Sequence, residues 1–287
     1  MNSNVNVEEL WNGYSAAAEA IFKQRGSVAT RHLQKALKAI EDARIPLDQN
    51  FYLSMLFPWA DLFWSIDRPD LVLKVFETVD KEMPDDPQIA LHRAIALFHL
   101  ARFKEAEEIL SDLEDRGYPA ADLYFFLGCL AERVSRDATA MNHFKRAAML
   151  EPERYVVPNP CDPKAVHGVV KNLLAKASGS LGATLTHARL VIEPLPTDQQ
   201  LKDSTPRLDP LALATLEVEA RAPKQGAPNV RAIHLFMKNI EKAADNAEEL
   251  EERLGEALSH ELSIAFHASE EELRNVLVPA PKDQQPA

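Results

Sequence analysis

The feature that most restricts what this chain can fold into is a period. Three windows, 53–86, 87–120 and 121–154, align at an offset of 34 residues. Ala60, Ala94 and Gly128 occupy one small-residue position, and Val72, Ala106 and Ala140 a second. Four residues after the second stand Phe76, Leu110 and Phe144, then three further on Val79, Leu113 and Ala147. Pro84 and Pro152 close the first and third windows, with Tyr118 and Pro119 between them. A small residue in each half of a window lets two helices approach closely. A hairpin so formed cannot bury its apolar side alone and must stack on its neighbours.

This pattern resembles the tetratricopeptide repeat. The third window carries it most fully, with Leu127, Gly128, Ala140, Phe144, Ala147 and Pro152 all at family positions. The first departs from it at Val72, and Pro58 predicts a kink or a late start of its first helix. The resemblance implies an array over 53–154 with a concave surface built from the first helix of each pair. Its expected lining residues are Asp61, Trp64, His92, Arg93, Leu97, Tyr124 and Glu132. Trp, Tyr and Arg are over-represented where proteins bind one another, although each aromatic could equally pack against the next hairpin. No pair of lysines with an asparagine forms a clamp for a terminal carboxylate. Upstream, Val7–Lys23 and Val28–Ala43 read as two helices without the repeat pattern, and 1–52 is expected to be a polar-faced cap.

After Pro152 the texture changes. Pro158, Pro160 and Pro163 cannot lie in one continuous helix, so 155–181 reads as a linker with a connecting helix. That helix starts at Lys164 behind an Asp162 cap and fades near Gly179–Gly182. Beyond it, Ala188–Glu193, Leu211–Ala220 and Val230–Met237 read as strands, and Pro194–Pro210 as a loop. From Asn246 to about His267 the pattern is helical, with acidic residues in the first turn. The order predicts a small α+β domain over 182–278 and a disordered tail over 279–287. The fold class expected is mainly α with an α+β C-terminal domain.

The last long helix carries Ser259-His260-Glu261-Leu262-Ser263-Ile264-Ala265-Phe266-His267. With Ile192-Glu193-Pro194-Leu195-Pro196, Asp209-Pro210-Leu211, Ile233-His234-Leu235-Phe236 and Asn239-Ile240 ahead of it, this order is similar to the minimal zincin-like metallopeptidases of bacteria. Active members hold zinc with two imidazoles one helical turn apart and use the intervening glutamate as base. The resemblance assigns His260 to the first ligand position and Glu261 to the base. The second ligand position is Ile264. His267 stands where the family turns on glycine, and Glu270 near the third ligand.

His267 is seven residues from His260, roughly 10 Å along a helix at about 1.5 Å per residue, too far for both to bind one zinc. No catalytic residue and no metal or other cofactor is therefore expected; were a metal present, His260, His267 and Glu270 would be its candidates. At about 100° per residue, Leu250, Leu254, Ala257, Leu258, Ile264 and Ala265 share an arc that includes Glu261. A carboxylate on that arc needs a partner. The expected partner is His234 or His260, unless Glu261 reaches water.

The formal charge of -12 argues against a general affinity for nucleic acid or anionic lipid. With only Cys129 and Cys161, the chain has no disulfide framework and fits a reducing compartment. Residues 1–13 show no leader pattern, and no apolar run of about 20 residues spans a bilayer. A cytoplasmic adaptor or scaffold that binds another protein or peptide is the expectation. A zinc peptidase with rearranged ligands and a chaperone for a secreted client are the alternatives.

Overall fold

The computed structural model describes residues 7–22, 49–177, 179–185, 187–219 and 228–278. The expected second cap helix and the expected tail lie outside the described residues. The chain divides into two compact units, residues 1–119 and 120–287. Among the described residues no helix is long and apolar enough to cross a membrane.

The first unit contains α1 (Val7–Phe22), α2 (Gln49–Trp64), α3 (Pro69–Glu82), α4 (Pro87–His99) and α5 (Phe103–Asp115). The periodic positions are its core: Ala60, Val72, Phe76, Val79, Ala94, Ala106, Leu110 and Leu113 are all buried. Pro58 neither delays nor ends α2, which runs through it from Gln49. The start of α4 is set locally, because the Asp86 carboxylate accepts the Gln88 and Ile89 N–H groups ahead of Pro87.

The second unit opens with α6 (Ala121–Arg133) and α7 (Asp137–Leu150), the helices of the third window. Gly128 allows their close crossing, since a Cβ there would sit 2.5 Å from the Phe144 ring. The period is also written in the backbone. Asp67, Ala101 and Ser135 take left-handed φ values of 50°, 57° and 58° at the turn inside each window. The next residue, Arg68, Arg102 or Arg136, donates its N–H to Phe63, Leu97 or Ala131 respectively. This six-to-one bond stops each first helix in the same way.

The rest of this unit is the small mixed domain. Asp162 caps α8 (Pro163–Ala175), as the sequence predicts. Where that helix was expected to fade, a short α9 (Gly179–Leu185) follows. The strands are β1 (Arg189–Glu193), β2 (Ala214–Glu219) and β3 (Asn229–Phe236), in the order β1-β3-β2, with β1 parallel and β2 antiparallel to β3. The expected loop between β1 and β2 contains α10 (Asp198–Asp203), started by a reciprocal capping box between Thr197 and Gln200. After β3 come α11 (Met237–Ile240), α12 (Ala247–Phe266) and α13 (Glu270–Leu277). One face of the sheet, with Ala214, Ile233 and Leu235, joins Val166, Val170 and Leu173 of α8 and Leu254, Leu258 and Leu262 of α12 in one core.

Candidate functional site

The site is set by how α12 lies on the sheet. Its buried face is Leu254, Gly255, Leu258, Ser259 and Leu262, rotated from the arc read in the sequence. Ile264, placed on that arc, is among the exposed large apolar residues instead. The rotation follows from packing that a wheel cannot see: glycine at 255 admits Val278 and Leu173 against the helix, so the small side becomes the inner one. His260 and Ile264 are consequently on the outer side, and Glu261 sits at the margin of the buried face.

Glu261 turns onto the edge of the sheet. Its Oε2 accepts the Thr215 hydroxyl hydrogen at 2.9 Å and the Leu216 N–H at 3.2 Å. The hydrogen-bond partners of Oε2 are therefore neither His234 nor His260, the two expected from the sequence. Burial pushes its pKa above the ordinary 4.5, while the Thr215 and Leu216 hydrogen bonds and the charge of His260 oppose that rise. His234 has its own partners: Nδ1 is 2.7 Å from Glu193 Oε2, which also accepts from the Gln200 amide at 2.9 Å.

His260 is 58% exposed, and its Nδ1 lies 3.0 Å from Glu270 Oε2. With a carboxylate as acceptor, Nδ1 carries the hydrogen. Glu270 so becomes an orienting partner of His260 rather than a third donor beside it. His267 ends α12 in the left-handed conformation, φ 51° and ψ 41°, with its N–H on Ser263 O. It takes the backbone shape that glycine adopts most easily.

These observations define what the outer face of α12 can hold. A catalytic zinc needs three protein donors and an open position; here His260 offers one nitrogen and Ile264 none. Among the described residues no three His, Cys, Asp or Glu side chains are grouped so that they could hold a metal ion. The donor set does not fit a resident zinc.

Residues 185–277 match the family model of the zincin-like metallopeptidases. The match takes in β1, the whole sheet, α12 and α13, so the C-terminal unit carries a zincin-like metallopeptidase domain with His260-Glu261 on its long helix. It covers less than half of the chain. The helical half is consistent with repeats, although no tetratricopeptide model matches it. The chain matches no curated protein. Within the zincin-like domain, Thr215 and Leu216 had no signal in the sequence, because nothing in an alternating strand marks the residues that meet a helix 46 and 45 positions later.

The seven residues expected to line a concave surface fare differently. Asp61 is exposed, and Trp64, His92 and Arg93 are half-buried. Trp64 meets the His99 ring at 5.0 Å, His92 stacks on Phe76 at 4.8 Å, and Arg93 pairs with Asp80 at 2.6 Å. Leu97, Tyr124 and Glu132 are buried. Tyr124 lies under the Arg146 guanidinium at 4.1 Å, and Glu132 is ion-paired to Lys242 with side-chain exposures of 4% and 5%. These three side chains are spent on packing, not display.

Proposed function

We propose that the chain is a protein- or peptide-binding adaptor, in which a tetratricopeptide-like array is joined to a zincin-like domain that does not hydrolyse its ligand. The observation that carries this reading is the placement of Glu261. A general base must reach the proton it removes, whereas one oxygen of this carboxylate, Oε2, is held by Thr215 and Leu216 of β2. Ile264 beside His260 supports it further, since no second imidazole is available one turn on.

In this reading the chain works in the cytoplasm without a cofactor, on protein rather than nucleic acid, in line with its charge of -12. Asp61, Trp64, His92 and Arg93 are the residues of the array that remain able to touch a partner. The family match favours a second reading, a zinc peptidase with rearranged ligands drawn from His260, His267 and Glu270.

Zinc titration of the purified chain by calorimetry, with hydrolysis of unfolded casein measured in parallel, separates the two. The adaptor reading expects no one-to-one site tighter than about 10 µM and no cleavage. It also expects Ile264→His to tighten zinc binding at least about 100-fold by restoring a donor. Stoichiometric zinc lost in His260→Ala, together with cleavage, would establish the peptidase instead.

A further inference from the structure

At the sheet edge beside α12, which is β2, Glu261 already takes the Leu216 N–H. The opposite edge is different. β1 pairs only with β3, so among the described residues no strand covers its outer side. Alongside it runs α8, and between the two lies a cleft of about 320 Å³. Its floor is Leu174, Leu185, Ala188 and Leu190, and His167 and Lys171 stand on the α8 wall one helical turn apart.

The charge of this region is opposite to that of the whole molecule. From Pro163 to Ile192 there is no aspartate or glutamate, and Glu193 at the end of β1 is taken up by His234 and Gln200, while Lys164, Lys171, Lys176 and Arg189 are present with His167 and His187, in a chain of net charge -12. Lys176 is engaged with Glu251 at 2.9 Å. Lys171 and Arg189 form no ion pair among the described residues, and both are exposed. Two cations beside an apolar cleft at an open strand edge ask for a ligand that is extended, apolar on one face and acidic on the other.

We infer that the outer edge of β1 is a docking site for an extended acidic-apolar peptide segment of a partner protein, which adds to the sheet as a fourth strand. Backbone pairing with Arg189–Glu193 supplies the register. Side chains of a strand alternate between its two faces, so every second residue of the guest drops toward the Leu174 and Leu190 floor on the face that β1 turns to the core. Leu190 and Ile192 already point that way and pack on the core. Acidic residues between them lie on the face of Arg189, while Lys171, on the α8 wall of the cleft, adds to the positive charge along its rim. This deepens the adaptor reading by naming the partner's chemistry, and it rests on that reading.

The test uses the full chain and a fluorescein-labelled eight-residue peptide in which glutamate alternates with valine and leucine, read by anisotropy and by hydrogen exchange. The expected result is saturable binding that weakens as salt is raised, with new protection confined to the amides of 189–193. A peptide with lysine for glutamate, and one N-methylated on alternate amides, should bind at least about tenfold more weakly. The double variant Lys171→Glu, Arg189→Glu should lose binding by a similar factor while its thermal melt stays within a few degrees, because both side chains are exposed.

Zinc content and casein cleavage bear on the adaptor reading alone, so its failure is visible separately. No saturable binding, equal binding of the N-methylated peptide, or protection on 214–219 in place of 189–193 overturns the inference. So does a dimer of the protein alone in sedimentation that the peptide dissociates, because the occupant would then be a second copy.

Discussion

Glu261 Oε2 lies 2.9 Å from the hydroxyl oxygen of Thr215, and this bond turns the carboxylate at the zincin base position into a clamp on the edge of its own sheet. Two donors hold it, which offsets part of the cost of removing a carboxylate from water. The side chain is thereby needed for structure at β2, and an amide oxygen could do the same work.

The pH dependence follows from the direction of the Glu261 shift. Burial raises its pKa above 4.5, so the folded state holds the proton more tightly than the unfolded state. Its contribution to stability is full below pH 4.5 and is lost as pH rises through the raised folded value. In Glu261→Gln this loss is absent while an acceptor for Leu216 remains. Thermal melts from pH 4 to 8 should show the variant gaining on the parent as pH increases. A difference that stays constant over the range contradicts the assignment.

The ion pair between Glu132 and Lys242, 2.5 Å apart and almost wholly buried, ties α6 to the turn after α11. Removing one partner strands the other charge. Lys242→Met alone should cost about 3–5 kcal/mol in denaturant unfolding, whereas Glu132→Leu with Lys242→Met should come within about 1 kcal/mol of the parent. Additive losses in the double variant would show that the pair is not coupled.

At the crossing of α6 and α7, Gly128→Ala places a methyl 2.5 Å from Phe144. The expected cost is about 1–3 kcal/mol from overpacking. Phe144→Leu in the same chain should return part of it, and a double-variant cycle in urea measures the coupling. A neutral Gly128→Ala would mean that the helices do not approach this closely.

The end of α12 offers a stabilising change. His267 is held at φ 51°, where an L-residue is strained and glycine is not. His267→Gly should raise stability by about 0.5–1 kcal/mol, seen as a higher melting temperature. A fall would indicate that the imidazole makes contacts worth more than the strain.

What the sequence exposes and what it hides divide by the range of the interaction. The 34-residue period found residues that are buried, because Ala94, Leu110 and Phe144 report a local need to fit two helices together. The three strands and both ends of α12 were legible for the same reason: alternation, the helical pattern starting at Asn246 and the acidic first turn are local signals. The α10 capping box at Thr197 and Gln200 was present in the sequence but was masked by the surrounding prolines.

The residues that misled are those whose fate depends on distant chain. Glu132 had the spacing of a display residue until Lys242, 110 positions on, buried it. Ile264 fell on the apolar arc of α12, but Val278 entering beside Gly255 set a different inner face. Glu261 needed a partner, and the one it has is a strand edge rather than a titratable neighbour. Hydrophobic periodicity carries no information about which way such a helix is turned by the elements packed on it.

The most direct measurement is an anomalous difference map from crystals of the full chain grown with excess zinc and collected at the zinc edge. A domain with Ile264 one turn after His260, and Glu261 committed to β2, predicts no peak bonded to His260 above the level of scattered surface ions. A fully occupied tetrahedral zinc on His260, with Glu261 swung away from Thr215 toward its water, would contradict it.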